Sequence, residues 1–315
     1  MSHYVINKIR FILTEIWIVI RHTLSEWVKD NIPTYGAALA FYTIFSIAPL
    51  LIILVAVTSF IFGDAATTGQ LEEYMSQLMG KELAGTIQNF VLDAYKPASG
   101  IIATVISLGL ILFLATTIIT QLKTTLNTIW NVATKEEVSG IKRFVIDRFI
   151  ALALILIFAS LFMLSMVMDV VLIALKSYLD PIIPGGVGIW STLNTLFSFL
   201  VLVVLFAVTF KMLPDVQIRW TDVLVGAVVT ALLFLLGVRL ISIYMGMATT
   251  STYGAAGSFV VFLIWVYYNA MVFFLGAEFT YIYTMRYGSR VKPSKHAHFT
   301  KYYPDAPDED AYGGN

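Results

Sequence analysis

The sequence contains no cysteine, which excludes disulfides, thiolate metal sites and cysteine nucleophiles. Histidine is nearly as scarce. His3, His22, His296 and His298 lie near the two ends, and no pair has the spacing of a metal-binding helix motif. No GxxxxGK[ST] phosphate loop occurs, so nucleotide binding of the P-loop kind is not expected. Charge is thin as well: 13% of residues are charged, about half the roughly 25% of a soluble domain. With 58% hydrophobic residues, the chain carries more apolar surface than a water-soluble globule can hide. A short apolar core followed by a small-residue cleavage site is missing from the amino terminus, so the first spanning helix is expected to direct insertion itself.

What the chain does have is a series of uncharged runs, each long enough to cross a hydrocarbon core of about 30 Å at about 1.5 Å per residue. No charge occurs between Asp30 and Asp64, none from Pro97 to Leu122, and none from Phe149 to Met168. Three further runs follow, with Arg239 inside the fifth span and Glu278 inside the sixth. The expected fold is an all-α polytopic membrane protein of six transmembrane helices, at about 36–62, 99–122, 146–175, 190–212, 222–245 and 257–283, within a membrane domain at 31–285.

Lys and Arg divide unevenly between the two sides. Sixteen of the twenty fall in the amino-terminal segment, the connections after spans two and four, and the tail, against Lys81, Lys96 and Lys176 opposite. By the positive-inside rule both termini are expected to face the cytoplasm, and only an even span count preserves this asymmetry. Residues 1–30 are expected to form an amphipathic helix on the cytoplasmic surface, because Ile9, Ile12, Ile16, Ile20 and Leu24 recur at helical spacing. A second amphipathic helix, from Leu71 to Val91 between spans one and two, is expected on the outer side. Both are read as packing on the bundle or resting in headgroups, the sharper alternative making the outer one a mobile cover. The tail, 286–315, turns polar and is expected to be disordered in the cytoplasm.

Charges at membrane depth are the best pointers to function, since burying one costs about 3 kcal/mol or more on insertion scales. Asp169 and Arg239 both fall in the outer third of the bilayer, where they are expected to pair or, alternatively, to leave Arg239 for an anionic headgroup or substrate. Glu278 is read as a helix-end carboxylate, with an ion-coupling role as its rival. Pro49 lacks a backbone donor and is expected to kink span one. Gly254 and Gly257, beside Tyr253, suit either tight packing or an irregular stretch at the outer end of span six. Trp265, Tyr268 and Asn269 fall mid-span, where they pack the bundle or line a pathway. Trp130, Trp190 and Trp220 suit interfacial belts.

These landmarks together resemble the YihY / virulence factor BrkB family of bacterial inner-membrane proteins, formerly labelled a ribonuclease BN family. The carrying residues run from Ala37 to Leu50 in span one, Leu126-Asn127-Thr128-Ile129-Trp130-Asn131-Val132, Leu213-Pro214-Asp215, and Trp220-Thr221-Asp222-Val223. To these are added Gly226-Ala227, Tyr253-Gly254, Gly257-Ser258, Leu263 to Tyr267 and Leu275-Gly276-Ala277-Glu278. Phe41 stands where the family often has a second Tyr, a conservative departure. The resemblance covers roughly residues 30 to 285. It implies a six-helix inner-membrane protein with both ends inside, transporter-like or of uncertain function, with links to lipid or envelope components.

The leading expectation is a transporter or lipid-handling protein of unassigned cargo, with membrane lipids as partners and no cofactor. The alternative is a non-catalytic scaffold or assembly factor binding envelope proteins. An intramembrane enzyme ranks last, and nucleic acid is not an expected partner: ribonuclease activity would need a basic exposed surface and usually a metal or acid/base site, neither of which the sequence offers.

Overall fold

The computed structural model describes residues 2–46, 101–135, 140–179, 187–248, 254–288 and 291–300. Pro49 and the rest of the first uncharged run, the segment from Leu71 to Val91, Tyr253 and the acidic end of the tail lie outside the described residues. Within them the chain forms helices α1 (Ser2–Lys29), α2 (32–46), α3 (Ile101–Ile129), α4 (Gly140–Leu179), α5 (Val187–Met212), α6 (Trp220–Ala248) and α7 (Gly254–Tyr287). Among the described residues, four stretches are long and apolar enough to cross a membrane: Phe144–Leu172, Thr192–Met212, Trp220–Leu240 and Phe262–Tyr287. The shortest have 21 residues, or about 31 Å of helix.

Two residues, Asp30 and Asn31, separate α1 from α2. The Asp30 N–H donates to the Glu26 carbonyl at 2.8 Å, and Asn31 then turns to φ 54°, a left-handed conformation that asparagine tolerates. Its carbonyl accepts from Thr34 N–H at 2.9 Å and so opens α2. Pro33 sits in that first turn, where a missing N–H costs no helical bond.

Each of the helices α3 to α7 packs on the next, and α7 returns to α3 to close the ring. Helix α2 fills the seam between α3 and α7: Ser46 Oγ donates to the Leu114 carbonyl at 2.6 Å, and a Cβ on Gly36 would stand 2.9 Å from Met271 Sδ. Helix α1 lies along α7. The seam between α6 and α7 interlocks reciprocally. A Cβ on Gly226 would fall 2.0 Å from Thr280 Oγ1, and one on Gly276 would fall 2.1 Å from Thr230 Oγ1. Each threonine donates to a glycine carbonyl of its own helix, Thr230 to Gly226 and Thr280 to Gly276, both at 2.7 Å. The hydroxyls are thereby satisfied inside a dry seam. Helix α7 is helical from Gly254 through Gly257, in place of the irregular stretch expected as one reading there.

One end of the ring carries a small β cap. Strand β1 (Val132–Thr134) pairs antiparallel with β4 (Ala297–Phe299), and β2 (Val216–Gln217) with β3 (Lys292–Pro293). The tail is therefore ordered over 291–300 and not disordered throughout. Its polar composition hides two buried side chains, Val291 and Ala297, and its strands satisfy backbone groups of the connections after α3 and α5. Trp130, Phe210, Leu213 and Phe274 are fully buried in the core. Along the ring the outward faces stay apolar, with Leu200, Leu236 and Leu240 all more than half exposed, a surface suited to lipid and costly in water.

Candidate functional site

The first polar constellation lies beneath the cap. Lys123, on the last turns of α3, is 7% exposed and stands 2.7 Å from Asp147 Oδ1 on α4 and 3.0 Å from Asp215 Oδ1 after α5. Asn127, one turn on, donates through Nδ2 to Asp215 Oδ2 at 2.9 Å and accepts the Asp215 N–H at 2.8 Å. Two sequence motifs far apart in the chain thus meet as one reciprocal amide–carboxylate pair. Trp130 packs edge-on against Tyr281 at 5.5 Å between ring centroids, and Asn131, at φ 51°, donates to the Tyr281 hydroxyl at 3.4 Å. Glu278, 0% exposed, sits one turn before Tyr281 on α7.

The second constellation is a groove between α3 and α4, about 270 Å³ in volume, lined by Leu112, Phe113, Thr116, Phe144, Val145, Arg148, Phe149 and Leu152. Its rim opens outward, since Phe113, Phe144 and Phe149 are all exposed. Arg148 is its one charge. Nη1 donates to the Phe113 carbonyl at 2.9 Å, to Thr116 Oγ1 at 2.5 Å and to Thr117 Oγ1 at 3.4 Å. The guanidinium carbon lies 4.4 Å from the Phe113 ring centroid and 5.0 Å from that of Phe144, so the cation is held between two ring faces. All three hydrogen bonds use one nitrogen. Nη2 and Nε, with three of the five guanidinium N–H donors, have no hydrogen-bond acceptor among the described residues.

A third contact clasps α1 to the bundle. Arg286 donates to Glu15 from Nη2 at 2.8 Å and from Nε at 3.1 Å, and the Tyr287 hydroxyl donates to the same carboxylate. Those bonds, Tyr287 first and Arg286 second, hold the Glu15 carboxyl below its ordinary value of 4.5. A lowered folded-state value means that the clasp is intact above the ordinary range and lost only as pH falls through the lowered one.

Of the charges singled out in the sequence, Asp169, Arg239 and Glu278 stand on three different helices. Arg239 is exposed on α6, whose main neighbours are α5 and α7, while Asp169 stands on α4, whose main neighbours are α3 and α5. The side chain of Asp169 lies outside the described residues. Tyr268 packs over Gly237 of α6, where a Cβ would meet its ring at 3.0 Å. Asn269 Nδ2 donates to the Trp265 carbonyl at 2.7 Å, and its buried Oδ1 has no hydrogen-bond partner among the described residues. Sequence reasoning counted Lys123 and Arg148 among the positive-side charges and placed both near the depth of Glu278, without giving either a role of its own. Lys123 closes one uncharged run and Arg148 precedes the next, so both sit at the edge of the apolar zone.

The chain matches the virulence factor BrkB family model over residues 23–300. It is similar to a UPF0761 membrane protein of Psychromonas ingrahamii, 25% identical over 281 residues that make up 86% of this chain and 90% of that one. A UPF0761 membrane protein of Pseudoalteromonas atlantica is 24% identical across 93% of this chain and 94% of its own. Some relatives are longer: the chain spans 56% of a Janthinobacterium UPF0761 membrane protein, at 25% identity over 80% of this chain. No solved structure matches. The match across nearly all of the helical bundle establishes that this integral membrane protein belongs to the YihY / BrkB family.

Proposed function

We propose that this protein crosses the inner membrane six times, with both termini in the cytoplasm, and handles lipid without catalysing covalent chemistry. The observation that carries the reading is the α3–α4 groove. Its walls are apolar, its mouth faces outward, and its single charge is a guanidinium that, among the described residues, donates from one nitrogen only. An acyl chain is the occupant suited to such walls, and a phosphate or carboxylate is the group suited to two open guanidinium nitrogens. Arg148, and not Arg239, is then the residue that receives the anionic part of the cargo. The six-span count draws support from the helical start of the first uncharged run at 32–46 and from α3, uncharged from Ile101 to Leu122.

The test is reconstitution with a photoreactive acidic phospholipid. Cross-links are expected on α3 and α4, and Arg148→Gln is expected to lower them by about tenfold, the weight of one charge-assisted hydrogen bond. Labelled lipid should also move between leaflets of the proteoliposomes more slowly with Arg148→Gln. Cross-linking elsewhere only, or equal cross-linking and movement by a normally folded Arg148→Gln protein, would sink the proposal.

A further inference from the structure

A second cationic cavity lies on the other side of the ring, where α5 ends and α6 begins. It measures about 850 Å³ and is lined by Lys211, Gln217, Ile218, Arg219, Trp220, Thr221 and Lys292. Three cations reach it from three segments: the last turn of α5, the connection to α6, and β3. Among the described residues no carboxylate lines it. Of the neighbouring acids, Asp215 stands 3.0 Å from Lys123 and accepts from Asn127, and Asp222, in the first turn of α6, accepts from Thr221 Oγ1 at 3.2 Å.

The cavity is also built and not merely charged. Lys211 Nζ donates to the Ile218 carbonyl and stands 5.8 Å from the Trp220 ring centroid. Lys292 is fixed opposite Gln217 by the β2–β3 pairing. The α6 helix starts here, and the positive end of its dipole adds to the field of the three cations.

Its depth in the membrane selects the ligand. Met212 ends one apolar stretch and Trp220 starts the next, so the cavity lies at the plane where hydrocarbon gives way to water. Exposed Met212 and Leu224 flank it on the apolar side, and exposed Trp220 matches the residue type that marks such interfaces. We infer that Lys211, Arg219 and Lys292 bind the phosphate of an anionic phospholipid in the leaflet facing the β-capped end. A soluble phosphate would meet the same cations, yet it would gain nothing from the apolar flank. The site is separate from the α3–α4 groove and does not rest on the reading of that groove.

The experiment is native mass spectrometry of the full chain released from nanodiscs holding equal phosphatidylglycerol and phosphatidylcholine. Wild type is expected to retain phosphatidylglycerol in excess. Arg219→Gln with Lys292→Gln should lower that excess by about fivefold for each cation removed, Arg219→Lys with Lys292→Arg should keep it, and Arg148→Gln should leave a share that the double Gln variant removes. Retention unchanged in a folded Gln double variant overturns the inference. So does loss of the whole excess in Arg148→Gln, which assigns it to the other groove, or displacement by millimolar inorganic phosphate, which assigns the cavity to a soluble anion. Should the Gln variant fold poorly, fluorescence quenching decides: the Trp220 emission, obtained by subtracting a Trp220→Phe protein, is expected to be quenched more by brominated phosphatidylglycerol than by brominated phosphatidylcholine. Equal quenching overturns the site.

Discussion

A lysine that is 7% exposed in an apolar bundle keeps its place only if its charge is answered, and Lys123 is answered twice, by Asp147 and Asp215. Removing the cation leaves two half-buried carboxylates facing each other. Breaking such a pair from one side costs about 3 to 5 kcal/mol. Lys123→Met is therefore expected to lower the thermal midpoint strongly in circular dichroism, and adding Asp147→Asn should recover part of the loss because the two carboxylates then no longer repel each other. A Lys123→Met protein as stable as wild type would show the network to be ornamental. The sequence singled out Arg239, Asp169 and Glu278 at this scale, and the structure adds Lys123 and Arg148 to them. Arg239 stands out in a linear reading because it interrupts an apolar run; it is exposed on α6 next to the last residue of the Trp220–Leu240 stretch, where a long side chain reaches the headgroups. Arg148 entered the linear reading as one of the positive-side charges. Only the folded arrangement gives Asp147 to Lys123 and leaves the neighbouring guanidinium in an apolar groove.

At the scale of elements, the resemblance motifs turn out to be the places where helices meet. Gly226 and Gly276 lie at matching turns of two antiparallel helices, each under the other's threonine. A methyl group there has nowhere to go, and overpacking of this kind costs about 1 to 3 kcal/mol. Gly226→Ala and Gly276→Ala should each lower stability by that order in a detergent unfolding titration. Gly109 on α3 provides the contrast, because an added Cβ would meet nothing within 4 Å. Gly109→Ala should be neutral or stabilising by up to about 1 kcal/mol, the difference in helix propensity. If all three behave alike, the close approach of α6 and α7 is not what those glycines provide. Helices were legible because uncharged runs and helical spacing of apolar residues are local signals. The strands over 291–300 were not, since their partners at Val132 and Val216 lie elsewhere in the chain and two- or three-residue strands carry no period to read.

For the molecule as a whole, the described helices bring the connections after α1, α3 and α5 and the end of α7 to one end of the ring, the end that bears the cap. Lys29, Lys123, Lys211, Arg219, Arg286 and Lys292 all belong to that end. The segregation read as a sequence statistic is thus a property of one surface, while the opposite connections carry few cations. A surface so charged is retained on the cytoplasmic side during insertion, which gives the proposed orientation a direct consequence. Because the chain has no cysteine, a single introduced thiol reports its own side without background. Lys295→Cys, exposed on the cap, should react with a membrane-impermeant maleimide only after the inner membrane is opened. Ser251→Cys, between α6 and α7, should react once the outer barrier alone is permeabilised. Labelling of Lys295→Cys with the inner membrane intact would invert the orientation and move the cavity of Lys211, Arg219 and Lys292 to the outer leaflet. Labelling of both thiols on the same side would require an added or missing crossing in the α6–α7 hairpin, and with it the even span count on which the charge asymmetry depends would fail.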